Sequence, residues 1–255
     1  MSPTIHIVRH GEAEHNVGYD LSIRDPGLTA RGGMQCQSLA ASFPYKDQIS
    51  LLVASPLRRT VQTAHWAFAA GAATTDASSD AASEERKEKQ RQRVIVGLGE
   101  LQECSAYPCD VGRSVEELSV SGALLDLSRV EPAWNSKQNL YGVTEDAVRA
   151  RVRRARHILR ELAAACVAKG EKDAHIVVVS HGTLIQYLIE RPDARRKNFD
   201  NCEYRSYKFV DLHGKDPSTA GLVETNESFY RRNGPLNMRS PKEADDLLAA
   251  EVHRG

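Results

Sequence analysis

The sequence has little that would attract it to a large charged or apolar partner. Its 34 Lys and Arg residues balance 34 Asp and Glu residues, so the formal net charge is zero. A neutral chain has no long-range field to hold nucleic acid or an anionic membrane, and we expect neither as a partner. No run of about 18 apolar residues occurs, so no transmembrane helix is expected.

Cysteine is also scarce, and its pattern excludes a disulfide framework. The five cysteines are Cys36, Cys104, Cys109, Cys166 and Cys202. An odd, scattered set in a chain of this length predicts reduced thiols in a reducing compartment. No second pair of ligands accompanies Cys104 and Cys109, so no zinc site is expected. The chain enters an apolar run at Ile5 without a basic, signal-like segment, and we expect a cytoplasmic protein.

What the sequence does contain is an ordinary globular composition with alternating strand and helix patterns. Of its 255 residues, 41% are hydrophobic and 27% are charged, and we expect a single domain over residues 1–255. Apolar, β-branched runs predict strands; they occur at residues 5–8, 50–54, 94–96, 176–179 and 204–211. The continuous run Ile176–Val179 indicates burial on both faces, as in a parallel sheet. We predict an α/β three-layer sandwich with a mostly parallel central sheet flanked by helices.

Helix signals fall between these strands. Thr29 is a plausible N-cap for a helix to about Phe43, and Ser55 with Pro56 predicts a helix that starts there and runs to about residue 70. Thr144 begins the clearest amphipathic helix, which Gly170 ends. A further helix is expected over residues 183–190.

Three segments fall outside this alternation. Residues 70–93 contain no apolar side chain larger than that of alanine, so we predict a mobile insertion there. Residues 104–143 are irregular and predict a small covering insertion, with short helices from Ser114 and Ser121. Residues 231–255 are expected to form a polar C-terminal tail.

The residues that carry chemistry follow two of the predicted strands. One strand ends in Arg9-His10-Gly11 and another in Ser180-His181-Gly182. Because ligands in open α/β sheets bind at the carboxyl ends of strands, we expect both histidines at one edge. A third strand delivers Arg58 and Arg59 to the same edge, although Arg58 should point away from Arg59 on a helix. Two histidines and forked guanidinium groups predict an anion site, with phosphate as the natural ligand.

The order of these motifs resembles that of the histidine phosphatase superfamily, in its phosphoglycerate-mutase-like branch. The motifs are Arg9-His10-Gly11, then Leu28-Thr29 with Gly32, Ser55-Pro56-Leu57 with Arg59, Leu101 with Glu103, and Ser180-His181-Gly182. The resemblance spans residues 5–211. Residues 101–110 and 201–203 are in addition similar to fungal members of this group.

The resemblance implies roles for individual residues. His10 matches the nucleophile that becomes phosphohistidine, and a neutral imidazole suits that task near pH 7. Arg9 and Arg59 match the clamp on the phosphoryl oxygens. His181 matches the second pocket histidine, which donates to the phosphoryl group.

The remaining implied roles concern the general acid/base and the substrate contacts. Glu103 matches the residue that protonates the leaving oxygen and then activates water, with Glu100 as the competing candidate. Asn16 matches a phosphate-contacting side chain, and Gly182 and Thr183 are expected to bind substrate beside His181.

These residues favour a metal-independent phosphomonoesterase that acts on a small phosphorylated metabolite through a phosphohistidine and needs no cofactor. A mutase would need further cations, and residues 104–143 contain only Arg113, Arg129 and Lys137. Three alternatives stay open: mutase-type phosphoryl transfer, non-hydrolytic acid/base chemistry on another anionic organic substrate, and a catalytically silent interaction module.

Overall fold

The centre of the protein is one twisted sheet, which confirms the mostly parallel arrangement predicted from the strand patterns. The structure is a computed structural model that describes residues 2–69, 93–120, 124–171, 173–190, 198–216 and 219–234. The strands are β1 (Thr4–Arg9), β2 (Ile49–Ala54), β3 (Ile95–Gly97), β4 (Leu125–Asp126), β5 (His175–Ser180), β6 (Tyr204–Phe209) and β7 (Leu222–Glu224). Their spatial order is β4-β3-β2-β5-β1-β6-β7. The pairs from β4 to β1 are parallel, whereas β6 pairs antiparallel with both β1 and the edge strand β7.

Helices cover both faces of this sheet, as the three-layer prediction requires. They are α1 (Ala30–Ser42), α2 (Arg58–Ala64), α3 (Val115–Ser119), α4 (Glu145–Ala168), α5 (Gly182–Leu188) and α6 (Asn226–Asn233). Alternate residues of β5 point to opposite layers: Ile176 packs with α4 and α5, and Val177 packs with α1 and α2. Both layers are apolar, so β5 is buried along its whole length.

The helix caps and the helix-ending glycine predicted from the sequence are confirmed. The Thr29 side chain accepts a hydrogen bond from the Gly32 N–H at the start of α1, and Thr144 does the same for α4 through Ala147. Gly170 has a φ of 94° just after α4, a left-handed conformation that glycine adopts without strain.

The predicted start of α2 is wrong by two residues. Leu57 is the N-cap and the helix begins at Arg58, because the Ser55 hydroxyl bonds to His181 instead of capping a helix. A π-helical turn, His65–Ala69, then extends the helix. The start of the helix predicted from Ser121 lies at residues 121–123, outside the described residues, and the residues that follow are not helical: Leu125–Asp126 pairs with β3 as an edge strand.

The three segments outside the alternation have different outcomes. Residues 70–92 of the predicted insertion lie outside the described residues, but Arg93 donates to the backbone carbonyls of Phe68 and Lys46. The covering insertion packs through a small apolar cluster that includes Trp134 and Tyr141. Arg231 and Arg232 belong to α6, and residues 235–255 of the predicted tail are not described. Among the helices described, none is long and apolar enough to cross a membrane.

Candidate active site

The two strand-end histidines meet at the carboxyl edge of the sheet. Arg9 pairs with Ser180 in the parallel β1–β5 register, so His10 and His181 leave the sheet side by side. Their ring centroids are 5.3 Å apart, and both side chains are buried. The pairing predicted from the repeated strand endings is therefore present in the structure.

The hydrogen bonds of His10 fix which of its ring nitrogens carries the proton. Nδ1 lies 2.7 Å from the Gly11 carbonyl oxygen, which can only accept, so Nδ1 is the protonated nitrogen. Nε2 therefore carries a lone pair. The Arg59 Nε–H points toward this lone pair at 3.3 Å, which is a long contact. His10 thus presents an unprotonated nitrogen beside a guanidinium group.

His181 has the complementary arrangement. Its Nε2 lies 3.0 Å from the Ser55 hydroxyl, and that hydroxyl also accepts from the Leu57 N–H at 3.4 Å. If the Ser55 O–H donates to Nε2, the proton of the imidazole is on Nδ1. That nitrogen is buried and has no hydrogen-bond partner among the described residues. His181 can therefore donate one N–H to a ligand.

Arg59 is almost completely buried and is held by a loop that the sequence did not link to it. Nη1 donates to the Cys109 carbonyl at 2.7 Å, and Nη2 donates to the Asp110 carboxylate at 2.8 Å. A guanidinium has five N–H groups, so two remain after the bonds to Cys109, Asp110 and His10. Arg58 is exposed and its backbone N–H donates to Asp25, in agreement with the prediction that it points away from Arg59.

Arg9 lies on the other side of the histidines. Its Nη1 donates to the Phe199 carbonyl at 2.7 Å. Its Nε is buried, and nothing in the described part of the chain accepts a hydrogen bond from it. Gly182 lies beside this side chain: a Cβ at that position would be 3.4 Å from Arg9 Nε, an ordinary contact distance. Arg9 therefore retains N–H groups that can bind an anion.

The structure separates the two candidate carboxylates. Glu100 forms an ion pair with Arg154 at 2.8 Å and is buried beneath the covering insertion. Glu103 faces the same cavity as His10, and its oxygens accept from the backbone N–H groups of Cys104, Thr183 and Leu184 at 2.9–3.1 Å. Three backbone donors hold Glu103 in one orientation, whereas Glu100 has a structural partner elsewhere.

Electrostatics shift the histidines and Glu103 in opposite directions. Burial, followed by the charges of Arg59 and Arg9, holds the pKa of His10 well below its ordinary value. The pKa of His181 is also lowered, chiefly by burial and then by Arg59. Burial raises the pKa of Glu103, and the neighbouring Asp110 charge raises it further. The site therefore shifts both histidines toward their neutral forms and Glu103 toward its protonated form.

Arg9, His10, Arg59 and Glu103 line an open cavity of about 400 Å³, whereas His181, which lies beside His10, is fully buried and is not part of that lining. The other predicted ligand-binding residues line it too: Asn16, Gly182 and Thr183. Their polar groups are partly occupied, because Asn16 Oδ1 accepts from the Ala13 N–H and the Thr183 N–H donates to Glu103. His15 also lines the cavity; burial lowers its pKa to about 4, and its Nε2 accepts from Asn16 at 3.1 Å.

Sequence reasoning missed three residues at this site. Ser55 was assigned to a helix cap, Asp110 had no assigned role, and Lys137 was counted only as a cation of the insertion. Lys137 donates from Nζ to the Glu103 carbonyl at 3.2 Å, and burial lowers its pKa to about 8. Asp110 ends a single 3-10 turn (Pro108–Asp110) and Lys137 lies on an irregular loop, so no sequence periodicity placed them near Arg59 or Glu103. Among the described residues, no group of three His, Cys, Asp or Glu side chains could hold a metal ion.

Comparisons with known proteins agree with the fold and the motifs. Residues 5–87 match the family model of the histidine phosphatase superfamily (branch 1). "Phosphoglycerate mutase-like protein 1" from Arabidopsis thaliana is 26% identical, over 84% of this chain and 84% of that protein.

Two solved structures share the fold at low sequence identity. The mycobacterial glucosyl-3-phosphoglycerate phosphatase is 19% identical with a TM-score of 0.50, covering 87% of this chain and 96% of that one. Phosphoglycerate mutase from Bacillus anthracis is 12% identical with a TM-score of 0.50, covering 87% and 91%. The strand-end motif Arg9-His10-Gly11 lies within the matched segment. In its motifs, its relatives and its sheet topology, the chain is similar to members of the histidine phosphatase superfamily.

Proposed function

We propose that the protein is a metal-independent phosphomonoesterase that hydrolyses a small phosphorylated metabolite through a phosphohistidine at His10. The observation that carries this proposal is the hydrogen bond from His10 Nδ1 to the Gly11 carbonyl, at 2.7 Å. It leaves the Nε2 lone pair next to Arg59 in a cavity that also contains an acid. A neutral imidazole held in this tautomer is a competent nucleophile.

In the first step, His10 Nε2 attacks the phosphorus atom and the bond between phosphorus and the ester oxygen breaks. Burial and Asp110 raise the pKa of Glu103, which favours the protonated form that gives its proton to the leaving oxygen. Arg9, Arg59 and the His181 Nδ1–H stabilise the three equatorial oxygens as negative charge builds on them. The guanidinium groups supply the positive charge that a metal ion would otherwise provide.

In the second step, water attacks the phosphorus atom of the phosphohistidine. Glu103 is now a carboxylate and takes a proton from this water, while the phosphorus–nitrogen bond breaks and His10 recovers its lone pair. Inorganic phosphate leaves and Glu103 is protonated again. The same carboxyl group thus acts as an acid and then as a base.

The substrate is expected to be a compact phosphomonoester, in keeping with a cavity of about 400 Å³. The named relatives support this class, since one is a glucosyl-3-phosphoglycerate phosphatase and others are phosphoglycerate mutases or mutase-like. A cytoplasmic location is part of the proposal, because the described cysteines are all unpaired thiols.

Mutase activity is the second candidate function, and it is supported by the relatives that are named mutase or mutase-like. A mutase would return the phosphoryl group from His10 to another hydroxyl of the bound product instead of to water. The two activities share the first step, so they differ only in which acceptor reaches the phosphohistidine.

The test is phosphate release from a panel of phosphomonoesters in the presence of a metal chelator, with single-turnover trapping of labelled enzyme. We expect chelator-resistant release and acid-labile phosphate on the wild-type protein, with both lost in His10→Ala. His6→Gln is the matched control, since it alters a buried histidine outside the cavity.

The other outcomes are distinguishable. Isomerisation of phosphoglycerate with a bisphosphate primer, without net release, would identify a mutase. Release without a trapped phosphoenzyme would exclude the covalent route. Failure to release phosphate from any ester would leave a non-hydrolytic enzyme or a binding module.

A further inference from the structure

Two cysteines lie next to each other and next to the segment Arg9-His10-Gly11, which we call the His10 loop. Cys36 lies on α1 and Cys202 lies in the loop before β6, and their sulfur atoms are 3.7 Å apart. They are 166 residues apart in the sequence, so only the fold brings them together. Neither thiol belongs to the cavity at His10, and the proposed mechanism uses neither.

The pair is accessible from one side. Cys36 is completely buried, but Cys202 is partly exposed and lines a separate surface cavity of about 690 Å³. A small oxidant can therefore reach Cys202 while Cys36 stays behind it. This is the arrangement of an exposed thiol with a resolving thiol within contact distance.

The two sulfurs also lie close to the backbone that orients His10. A Cβ built on Gly11 would lie 3.3 Å from the Cys202 sulfur and 3.4 Å from the Cys36 sulfur. The Gly11 carbonyl holds His10 Nδ1, and the Cys202 N–H donates to the Arg9 carbonyl at 3.0 Å. A movement of either cysteine would therefore reach Arg9, His10 and Gly11.

We propose that Cys36 and Cys202 form a peroxide-sensitive dithiol, and that its oxidation to a disulfide displaces the loop carrying His10 and slows the enzyme. Disulfide formation and the displacement of the loop do not depend on the proposed function, whereas the effect on the rate of phosphate release rests on it. A disulfide has a sulfur–sulfur distance of about 2.05 Å, so bond formation must draw the two sulfurs together by well over 1 Å. The hydrogen bond between the thiols lowers the pKa of Cys36 and raises the pKa of Cys202, as expected when two thiols share a proton. Cys202, the accessible thiol, therefore has to lose its proton as it attacks the oxidant.

The chemistry balances with a hydroperoxide as the oxidant. The Cys202 sulfur attacks one peroxide oxygen, the oxygen–oxygen bond breaks, and the departing hydroxide takes the thiol proton to form water. The Cys36 sulfur then attacks the sulfur of the sulfenic acid, the sulfur–oxygen bond breaks, and a second water leaves with the Cys36 proton. Two thiols are oxidised by two electrons, and one hydrogen peroxide is reduced to two waters.

The test treats the reduced full-length protein with one equivalent of hydrogen peroxide, blocks the remaining thiols and maps the linked peptides by mass spectrometry. We expect a Cys36–Cys202 link with the loss of two hydrogen atoms, reversed by dithiothreitol. The link should form in the Cys166→Ser control and be absent in Cys36→Ala and Cys202→Ser. Oxidation without this link, or a link between other cysteines, would overturn the proposal.

Two readouts report on the His10 loop. Phosphate release should fall at least about tenfold on oxidation and recover with dithiothreitol, because displacements near 1 Å at a reacting group are costly. The NMR signal of the His10 Nδ1–H should shift on oxidation, and Cys36→Ala should abolish that shift. If the reduced enzyme releases no phosphate, the proposed function fails, and the peptide link and the NMR shift still decide this inference. A link that leaves the His10 signal unchanged would contradict it.

Discussion

Strand β1 contributes to two buried histidine pairs, and only one of them is suited to catalysis. His10, just after the strand, lies beside His181 at the carboxyl edge of the sheet. His6, four residues earlier, lies against His175, with Nε2 and Nδ1 2.9 Å apart. Burial is the largest cause of the lowered pKa in all four histidines. A lowered pKa alone therefore does not identify the active site.

The pairs differ in what their nitrogens bind. Both nitrogens of His6 have close partners, Ser206 and His175, and its ring packs on Phe43 and Tyr45. His10 Nε2 has only the long contact from Arg59, and His181 Nδ1 has no partner in the described residues. The comparison shows that an incompletely satisfied nitrogen beside cationic side chains distinguishes a reactive histidine from a structural one.

The largest expected effect separates the pairs directly. His10→Ala should reduce phosphate release by at least about 10⁴-fold, because it removes the group that bonds to phosphorus. His6→Gln should leave kcat within about twofold, since its side chain lies outside the cavity. Steady-state kinetics of the two purified, folded variants measure both values. Equal losses in the two variants would show that the histidine pairs do not differ in the way inferred here.

The next effect concerns the acid that accompanies the reactive pair. Glu103→Gln should slow hydrolysis of an alkyl phosphate by about 10³-fold, since the leaving alkoxide needs a proton. An aryl phosphate such as p-nitrophenyl phosphate leaves without help, and its hydrolysis should slow much less in the first step. Glu100→Gln is the matched control, because its partner is Arg154. A larger loss in Glu100→Gln would reverse the assignment of the two carboxylates.

A smaller effect lies in the pH dependence. His10 must be neutral and Glu103 protonated, so kcat/KM should rise above the lowered pKa of His10 and fall above the raised pKa of Glu103. Asp110→Asn removes a charge that raises the pKa of Glu103, so the falling limb should move to lower pH. Activity at pH 7 should drop by about 3- to 10-fold. A pH profile unchanged in this variant would exclude Asp110 as a source of the raised pKa.

The smallest effect tests the structural pair. His6→Phe should lower the free energy of unfolding by about 1–3 kcal/mol, since Ser206 and His175 lose a buried partner. The pKa of His6 is about 3, so the unfolded chain takes up its proton first as the pH falls. Loss of stability below pH 6.5 should therefore include a contribution from His6 of up to about 1.4 kcal/mol per pH unit, and the total slope should be smaller by that amount in the variant. Urea unfolding at several pH values measures this, and an equal slope in both proteins would contradict the assignment.

Much of the fold could be predicted because its signals are local. The Thr29 and Thr144 caps, the β-branched run of β5 and the left-handed Gly170 each act within a few residues. The prediction that His10 and His181 lie together also depended only on the rule that parallel strands end at one edge of the sheet. These features needed no knowledge of distant contacts.

The errors have a common physical cause. Ser55 and Pro56 form a good helix start by local rules, but a hydrogen bond to His181, 126 residues away, uses the Ser55 hydroxyl instead. The short edge strands β4 and β7 depend on neighbours that offer backbone partners, and their own residues carry weak strand signals. Tertiary hydrogen bonds thus outweighed local propensity at each of these positions.

By itself the sequence determined the α/β class, the neutral overall charge and the two strand-end histidines, because composition, periodicity and strand polarity are properties of the chain. Only the tertiary structure decided which carboxylate faces His10, that Asp110 holds Arg59, and that Cys36 meets Cys202. Those outcomes depend on contacts between loops and helices distant in sequence, and on the burial that sets each pKa. Neither can be read from residue spacing.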